Sequence, residues 1–414
     1  MNVRNNVSVL FGFIFGILPA VSAGAVEYDT GIALRQNVLM FRWPQELSRL
    51  FGMERDFGIS ETRARVFGSA SRGPVTVNGA IETKANFMSG TIGSFGQFQE
   101  GSLLGTGRPL RHWDLSRKHV SGTSTSATSL IDRMDVTVRL GDYDLDLGRQ
   151  PISIGTSHFV GVLDVIAPFA PGDLDATYKP GVDAVRVRRL VGMTGEAEII
   201  AVGNTEWERG ALLGRLRTNW RSMDFEMVGG RFRERMFGGV GWEGEIAEWG
   251  FWGECAAFER KSERERFHGG WTKAAVSAVT GIERLLPADI TAGTSLLWQD
   301  FGVRDPDDLL DVYKEAPFNE GWVFLGSCAY GVLTAHRQMH PLVNADIAGI
   351  LNLVDGSTLW QPRISISTGD NTDLSVYGWL GAGEKPSVVN GTMTAGSEFG
   401  MMPSGGGFYG RWFF

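Results

Sequence analysis

The chain reads RMDVTVRL from residue 133 to residue 140, so that apolar and polar residues alternate. A period of two is that of a β-strand, whose successive side chains point to opposite faces of a sheet. The segment therefore predicts a strand with one face in an apolar phase and the other in water. Gly141-Asp142 follows and is typical of a tight turn, so a second strand is expected to return beside the first.

The same alternation recurs over most of the chain. Short segments rich in Gly, Asp, Asn and Ser separate the alternating runs, as expected for strands joined by turns. We count eighteen candidate strands, with sixteen as the alternative because the first run is weakly patterned. They centre on 33–41, 58–70, 74–86, 130–140, 143–150, 182–190, 195–203, 209–219, 222–231, 236–246, 249–259, 271–283, 288–299, 324–335, 341–352, 359–368, 373–381 and 405–414.

The length of the alternating region favours one closed sheet. Single soluble β-domains rarely exceed about 250 residues, whereas the pattern here covers most of residues 26–414 without a linker. A closed barrel pairs every backbone polar group, as a membrane requires. The sequence therefore predicts an all-β protein, a single transmembrane antiparallel β-barrel. Its long connections, including 87–129 and 151–181, are expected at one end and its short turns at the other.

Composition excludes several other classes of protein. The net charge of −8 argues against nucleic-acid binding, and the mean hydropathy near zero argues against a polytopic helical membrane protein. Two cysteines and the absence of a Cys-x-x-Cys or His/Cys cluster predict no metal and no bound cofactor. No sequence motif of a hydrolase is present, so no catalytic residues are assigned.

Residues 1–25 have the layout of a cleaved signal peptide. Arg4 precedes an apolar run, and Ala23-Gly24-Ala25 fits a small-residue cleavage site, with Val21-Ser22-Ala23 as a competing one. The alternative is a retained anchor helix. Cleavage after residue 25 would leave residues 26–414 as the exported barrel.

The carboxy terminus carries the clearest resemblance to known proteins. An aromatic residue ends the chain, and four residues of the last alternating run share one face. This arrangement resembles the terminal strand by which the assembly machinery recognises outer-membrane barrels. The resemblance implies an outer-membrane location and assigns this signal to Phe408, Gly410, Trp412 and Phe414.

A second, looser resemblance lies in residues 148–184. They contain GRQ at 148–150, Asp164, APF at 167–169 and YKPGVDA at 178–184. This segment resembles porin-like barrels related to the alginate-export and phosphate-selective porins. It implies a substrate-conducting channel without identifying the substrate.

Charged residues on the polar face of the strands form predicted rows inside the barrel. Counting back from the turns places Arg188 opposite Glu196 and Arg186 opposite Glu198. By the same count Arg217 faces Asp224 and Arg215 faces Glu226. Across the 204–208 connection Glu196 faces Arg217 and Glu198 faces Arg215, and across the 141–142 turn Arg139 pairs with Asp144. Opposite charges across a strand pair stabilise one register. Two roles are therefore expected as alternatives: specifying the register alone, or also lining a water-filled pore. The predicted pore-lining residues are Arg133, Arg139, Asp144, Arg186, Arg188, Glu196, Glu198, Arg215, Arg217, Asp224 and Glu226.

The 151–181 connection is the candidate constriction of the pore. Its stretch from Phe159 to Phe169 is too apolar for a free surface loop, so it is expected to fold into the lumen or to pack over the rim. A basic cluster in 87–129 is expected to attract anionic solutes or lipopolysaccharide phosphates. The predicted constriction residues are Arg149, His158, Asp164, Asp173, Asp175 and Lys179.

These patterns together favour an outer-membrane porin that passes small hydrophilic or anionic solutes by diffusion, and not an enzyme. Two alternatives remain: a barrel that sheathes a periplasmic or extracellular partner such as an electron carrier, and an outer-membrane hydrolase. The expected partners are membrane lipid, lipopolysaccharide, the barrel-assembly machinery and a small solute. A homo-oligomer is a further option, and no nucleic acid is expected.

Overall fold

A computed structural model describes residues 26–52, 54–89, 109–170, 178–260, 274–389 and 392–414. Within these residues eighteen strands, β1 to β18, form the wall of a closed antiparallel barrel. In chain order they are Glu27–Arg42, Asp56–Arg72, Val75–Ser89, Thr125–Leu140, Tyr143–Gln150, Val182–Val191, Gly195–Val202, Ala211–Trp220, Met223–Phe232, Arg235–Ile246, Trp249–Glu259, Ala274–Leu286, Ile290–Gln299, Ala329–His340, Val343–Asn352, Thr358–Gly369, Thr372–Ala382 and Ser404–Phe413.

The first and last strands close the barrel. Each strand pairs with its neighbour in sequence, and β18 pairs with both β17 and β1, where Leu34 lies opposite Trp412. Two backbone hydrogen bonds between Ile32 and Phe414 extend this seam. The predicted fold and its count of eighteen are therefore confirmed. The predicted signal peptide, residues 1–25, lies outside the described residues.

Connection length differs sharply between the two ends of the barrel. At one end every described turn has two or three residues between strands, as at 73–74, 141–142 and 192–194. Several of these turns contain residues with positive φ, the conformation that tight hairpin turns require. At the other end the connections 151–181, 300–328 and 383–403 are long. We call these the short-turn end and the long-loop end.

The two faces of the wall differ as the alternation predicts. The outer face carries large exposed apolar side chains, and inward positions carry charged, polar or buried apolar ones. An apolar outer surface of this extent is typical of a barrel wall in contact with lipid. Outward examples are Leu212, Leu216, Met227, Val240, Ile282, Leu296, Leu333, Ile364, Val376 and Leu380.

Two predicted registers are wrong by two residues. Arg188, not Arg186, lies opposite Glu198, because β6 continues to Val191 and the turn is only 192–194. The turn is this tight because Gly192 takes a φ of 68°. A shift of two residues leaves each side chain on its predicted face.

The second wrong register lies across the β8–β9 turn. Arg217 lies opposite Glu226 rather than Asp224, and the turn is Arg221-Ser222. Arg221, although not a glycine, takes a φ of 59°, which allows the two-residue turn. Across β7 and β8, by contrast, Glu196 lies opposite Arg217 and Glu198 opposite Arg215, as expected from the sequence.

Long-loop segments fill part of the barrel interior. Buried apolar residues of 152–167 and 301–325 pack against inward residues of the wall, such as Ile200, Leu213 and Phe258. Helical segments are short and lie in the connections: Gln45–Phe51, Trp207–Arg209, Pro306–Asp308, Leu309–Val312, Ala316–Asn319 and Glu398–Met401. In the described part of the chain no helix has the length and apolar character needed to cross a membrane.

Alternate residues of the terminal strand face outward. Phe408 is exposed on this face, and Phe414 at the chain end is also exposed. Gly410 lies beneath the Trp412 ring, where an added Cβ would stand 2.4 Å from the ring atom Cη2. Glycine is therefore required for this ring to lie flat on the wall. The role of Phe408, Gly410, Trp412 and Phe414 as an assembly signal stays a prediction.

Candidate functional site

The apolar connection after β5 forms a hairpin inside the barrel, fastened to one carboxylate. Glu254 lies on β11 and its side chain is only 1% exposed. Its Oε1 accepts the backbone N–H groups of Thr156 at 2.6 Å and Ser157 at 2.7 Å. Its Oε2 accepts those of Val162 at 2.7 Å and Leu163 at 3.0 Å. Both limbs of the hairpin are therefore held by the same side chain, and we call residues 152–167 the inner loop.

The wall next to Glu254 is shaped to receive the inner loop. Glu226 of β9 accepts the N–H of Gly155 at 3.0 Å, which adds a second wall carboxylate to the anchorage. On β10, a Cβ at Gly239 would stand 2.4 Å from Leu163, and one at Gly241 would stand 3.2 Å from Thr156. Two inward glycines thus let the loop pack directly against the backbone of the wall.

A buried ion pair closes the base of the inner loop. Lys179 donates to Asp164, and both side chains are largely buried. Burial raises the pKa of the Asp164 carboxyl, and the Lys179 ammonium acts in the opposite direction. The pair thus ties the inner loop to the segment that leads into β6. The predicted constriction residues Asp173 and Asp175 lie outside the described residues.

The tip of the inner loop reaches the half of the barrel nearer the short turns. The Ser157 hydroxyl donates to the Val160 carbonyl at 2.6 Å and closes the tip. His158 projects from it, with Nε2 3.0 Å from Glu243 and Nδ1 3.4 Å from Glu283. Each glutamate lies three positions before the last residue of its strand. All three side chains are 40–45% exposed, so they are accessible to solvent.

The predicted charge rows form a connected network rather than separate pairs. Glu198 binds Arg186 at 2.5 Å and Arg215 at 3.1 Å, and Arg215 continues to Glu226 at 3.2 Å. Arg217 reaches the same Glu226 at 3.7 Å. Since Glu226 also holds Gly155, the network ends on the inner loop. Arg215, Glu198 and Glu226 are therefore covered wall residues rather than open pore lining.

The other predicted pore-lining residues lie outside this network and interact with one or two neighbouring residues each. Arg188 binds Asp146 at 2.9 Å and approaches Asp144 at 3.6 Å. Arg139 lies opposite Asp144, as predicted. Glu196 lies opposite Arg217, and Asp224 accepts a hydrogen bond from Asn219.

Arg149 belongs to a buried arginine–carboxylate cluster rather than to the inner loop. It is 1% exposed and binds Asp183 at 2.6 Å. Nearby, Asp132 binds Arg65 at 2.7 Å and Arg133 at 2.8 Å. Arg149 and Arg133, both named from the sequence, thus serve to hold neighbouring segments together.

A second buried carboxylate joins two other long loops. Glu398 is fully buried and accepts hydrogen bonds from Tyr313, Tyr330, Asn352 and the backbone of Gly326. Burial raises the pKa of Glu398, and these hydrogen bonds act against that rise. Burial and the neighbouring Glu398 raise the pKa of Tyr313 well above its ordinary value. The connections 300–328 and 383–403 are therefore fixed to each other at this residue.

The two buried carboxylates that hold the loops, Glu254 and Glu398, were not predicted from the sequence. For Glu254 a signal was present: its cross-strand neighbours Gly241 and Val279 carry no charge, so an inward carboxylate had no basic partner on the wall. An unpaired inward acid predicts another partner, here backbone N–H groups of a loop. Glu398 had no such signal, because it lies outside any strand.

Comparison with known proteins identifies the architecture. No protein-family model matches the chain, and no curated protein matches it. Among solved structures, OccAB1 of Acinetobacter baumannii is 9% identical, with a TM-score of 0.56 over 93% of this chain and 95% of that one. OccAB3 of the same organism is 10% identical, with a TM-score of 0.54 over 93% and 99%.

A third neighbour has the same architecture. OccK5 (OpdH) of Pseudomonas aeruginosa is 8% identical, with a TM-score of 0.54 over 93% of this chain and 98% of that one. These neighbours are outer-membrane porins of the Occ/OprD group. At such low identity the likeness shows the fold alone: the chain has the barrel architecture of these proteins. Kinship to the alginate-export or phosphate-selective porins stays a prediction.

Proposed function

We propose that the protein is an outer-membrane channel through which small hydrophilic or anionic solutes diffuse. The observation that carries the proposal is the inner loop, a segment of the chain fastened inside a closed barrel with an apolar outside. A loop held in this way narrows the lumen that the barrel wall surrounds. The fold shared with Occ porins supports the same function.

Charge at the long-loop end supports a preference for anions. The short strand Ser116–Ser121 extends from this end beside β4 and exposes its side chains, including Arg117 and Lys118. Exposed basic groups at an entrance raise the local concentration of anions. The same groups would bind phosphates of lipopolysaccharide, which we propose as a membrane partner along with lipid and the assembly machinery.

The interior packing favours a channel over a sheath. Apolar residues of the long-loop segments occupy space inside the barrel that a protein partner would need. Nothing in the described residues favours the hydrolase alternative. A homo-oligomer stays open as a proposal.

Planar-bilayer recording tests the proposed function. The purified full-length protein is expected to give stable ohmic current steps, and a salt gradient is expected to give a reversal potential for anion preference. Arg117→Gln with Lys118→Gln should reduce that preference and leave the step frequency unchanged. Heat-modifiable migration in gel electrophoresis shows whether the barrel is folded. If folded protein gives no current steps, the proposed channel is contradicted. N-terminal sequencing of the exported protein tests cleavage after residue 25.

A further inference from the structure

Solvent-accessible arginines mark the outer face of the barrel at its short-turn end. Three of them occupy outward strand positions, and one stands in a turn. On β6, for example, Arg189 follows the exposed outward residues Val185 and Val187. Four such residues, which we call the arginine belt, are Arg189 on β6, Arg221 in the β8–β9 turn, Arg284 on β12 and Arg337 on β14.

The belt lies at one level of the wall. Three of its members are directly opposite the first residue of a neighbouring strand: Arg189 opposite Tyr143, Arg284 opposite Trp249 and Arg337 opposite Ile290. Arg221 directly follows the last residue of β8. Each of these positions is next to a short turn, so the belt lies where the apolar outer wall meets water.

Three arginines of the belt stack on aromatic rings that also face outward. Cζ of the arginine lies 5.3 Å from the ring centroid for Arg189 on Tyr143, 4.9 Å for Arg221 on Trp220 and 5.2 Å for Arg284 on Trp249. All three rings belong to the exposed aromatic residues of the wall. Tyrosine and tryptophan at such a level are typical of the girdle that lies among lipid headgroups. The ring faces hold the guanidinium groups in that layer.

Most of the belt has no acidic partner. Within the described part of the chain Arg189, Arg221 and Arg337 form no ion pair, whereas Arg284 pairs with Glu248 at 2.7 Å. Outward strand positions within three residues of a described short turn carry no Asp or Glu, because the acids of these strand ends face the lumen. A guanidinium group has five N–H donors. The belt can therefore bind an anion from outside the chain.

We propose that the arginine belt binds the phosphate groups of anionic phospholipids, such as phosphatidylglycerol. Short turns of outer-membrane barrels face the periplasm, so the belt lies in the phospholipid leaflet and not in that of lipopolysaccharide. Guanidinium groups bind phosphate oxygens through paired N–H donors. An anionic headgroup has no ammonium group to oppose this attraction, as a zwitterionic one does. The proposal rests on the outer-membrane barrel and does not depend on conductance.

Native mass spectrometry of the full-length protein in neutral detergent micelles tests this binding. Dioleoyl-phosphatidylglycerol is titrated and the bound lipids are counted, with dioleoyl-phosphatidylcholine as the zwitterionic comparison. The anionic lipid should bind more tightly. Arg189→Gln with Arg221→Gln and Arg337→Gln should lower its affinity by about fivefold for a lipid that loses one arginine. Affinity for the zwitterionic lipid should change less. Lysine at the same three positions keeps the charge and should restore most of the affinity.

A matched control removes three arginines that face the lumen. Arg139→Gln with Arg217→Gln and Arg363→Gln changes the net charge equally and should leave the binding of phosphatidylglycerol unchanged. Heat-modifiable migration shows that each variant is folded.

Three outcomes would overturn the proposal. The first is equal affinity of the native protein for the two lipids. The second is an equal loss of affinity for phosphatidylglycerol in the belt variant and the lumen variant, or no loss in the belt variant. The third is a loss in the belt variant of affinity for lipid A rather than for phosphatidylglycerol, which would assign the belt to lipopolysaccharide. Absence of current steps in bilayers would contradict only the channel.

Discussion

Oε1 of Glu254 lies 2.6 Å from the backbone nitrogen of Thr156, and the same carboxylate accepts three more N–H groups of the inner loop. In Glu254→Gln the amide nitrogen would face two backbone donors and leave them unsatisfied. Docking of the loop should weaken by about 1–3 kcal/mol, or roughly 5–150-fold in the undocked population. Single-channel recording should show larger or flickering currents.

Glu245→Gln is the matched control for this change. Glu245 lies on the neighbouring strand β10 and is exposed, so its substitution should leave the current unchanged. Heat-modifiable migration should be native for both variants, because the barrel wall is unaltered. Native currents from Glu254→Gln would mean that the carboxylate does not position the loop.

Arg215 bridges two buried carboxylates, Glu198 and Glu226. Arg215→Met would leave both acids without this partner, and breaking a buried pair costs about 3–5 kcal/mol. Urea unfolding in lipid vesicles should show that loss. Arg217→Met, two positions away with a half-exposed side chain, should cost about 0–1 kcal/mol. If both variants lose the same free energy of unfolding, burial of the arginine does not determine its contribution to stability.

Gly410 permits the Trp412 ring to lie on the outer wall at the closing seam. Gly410→Leu should displace the ring and lower the yield of assembled barrel, measured as the heat-modifiable fraction in outer membranes. Gly369→Ala, where nothing lies within 4 Å of the added Cβ, should assemble normally. If Gly410→Leu assembles normally, packing of the Trp412 ring over position 410 is not needed for assembly.

The sequence predicted the strands far better than the register or the loops. Strand number follows from a period-two pattern and from turns, both of which are local. Register depends on which turn residues take positive φ, and Arg221 does so without being a glycine. The path of the inner loop depends on Glu254, about 90 residues away along the chain. No local pattern carries that contact.

Stability should depend on pH through Glu398. Burial raises its pKa, so the folded protein binds this proton more tightly than the unfolded chain does. Its contribution is therefore complete below the ordinary glutamate pKa, about 4.3, and is lost as pH rises through the folded value. Between pH 4 and pH 8 the melting temperature of the native protein should fall more steeply than that of Glu398→Gln.

Glu384→Gln controls for charge removal in the same connection, since Glu384 is exposed. Its melting temperature should follow the native pH dependence. If melting temperature depends on pH in the same way in the native protein and in Glu398→Gln, proton binding at Glu398 does not contribute to the pH dependence of stability.

Glu243 and Glu283 place two accessible carboxylates beside His158 at the tip of the inner loop. Charges at a narrow point in a pore select the ions that pass. Glu243→Gln with Glu283→Gln should therefore shift the reversal potential in a salt gradient toward anions. The pair Glu245→Gln with Glu248→Gln removes two exposed carboxylates nearer the turn and should have a smaller effect. An unchanged reversal potential in the first double variant would place the narrowest point of the pore away from this tip.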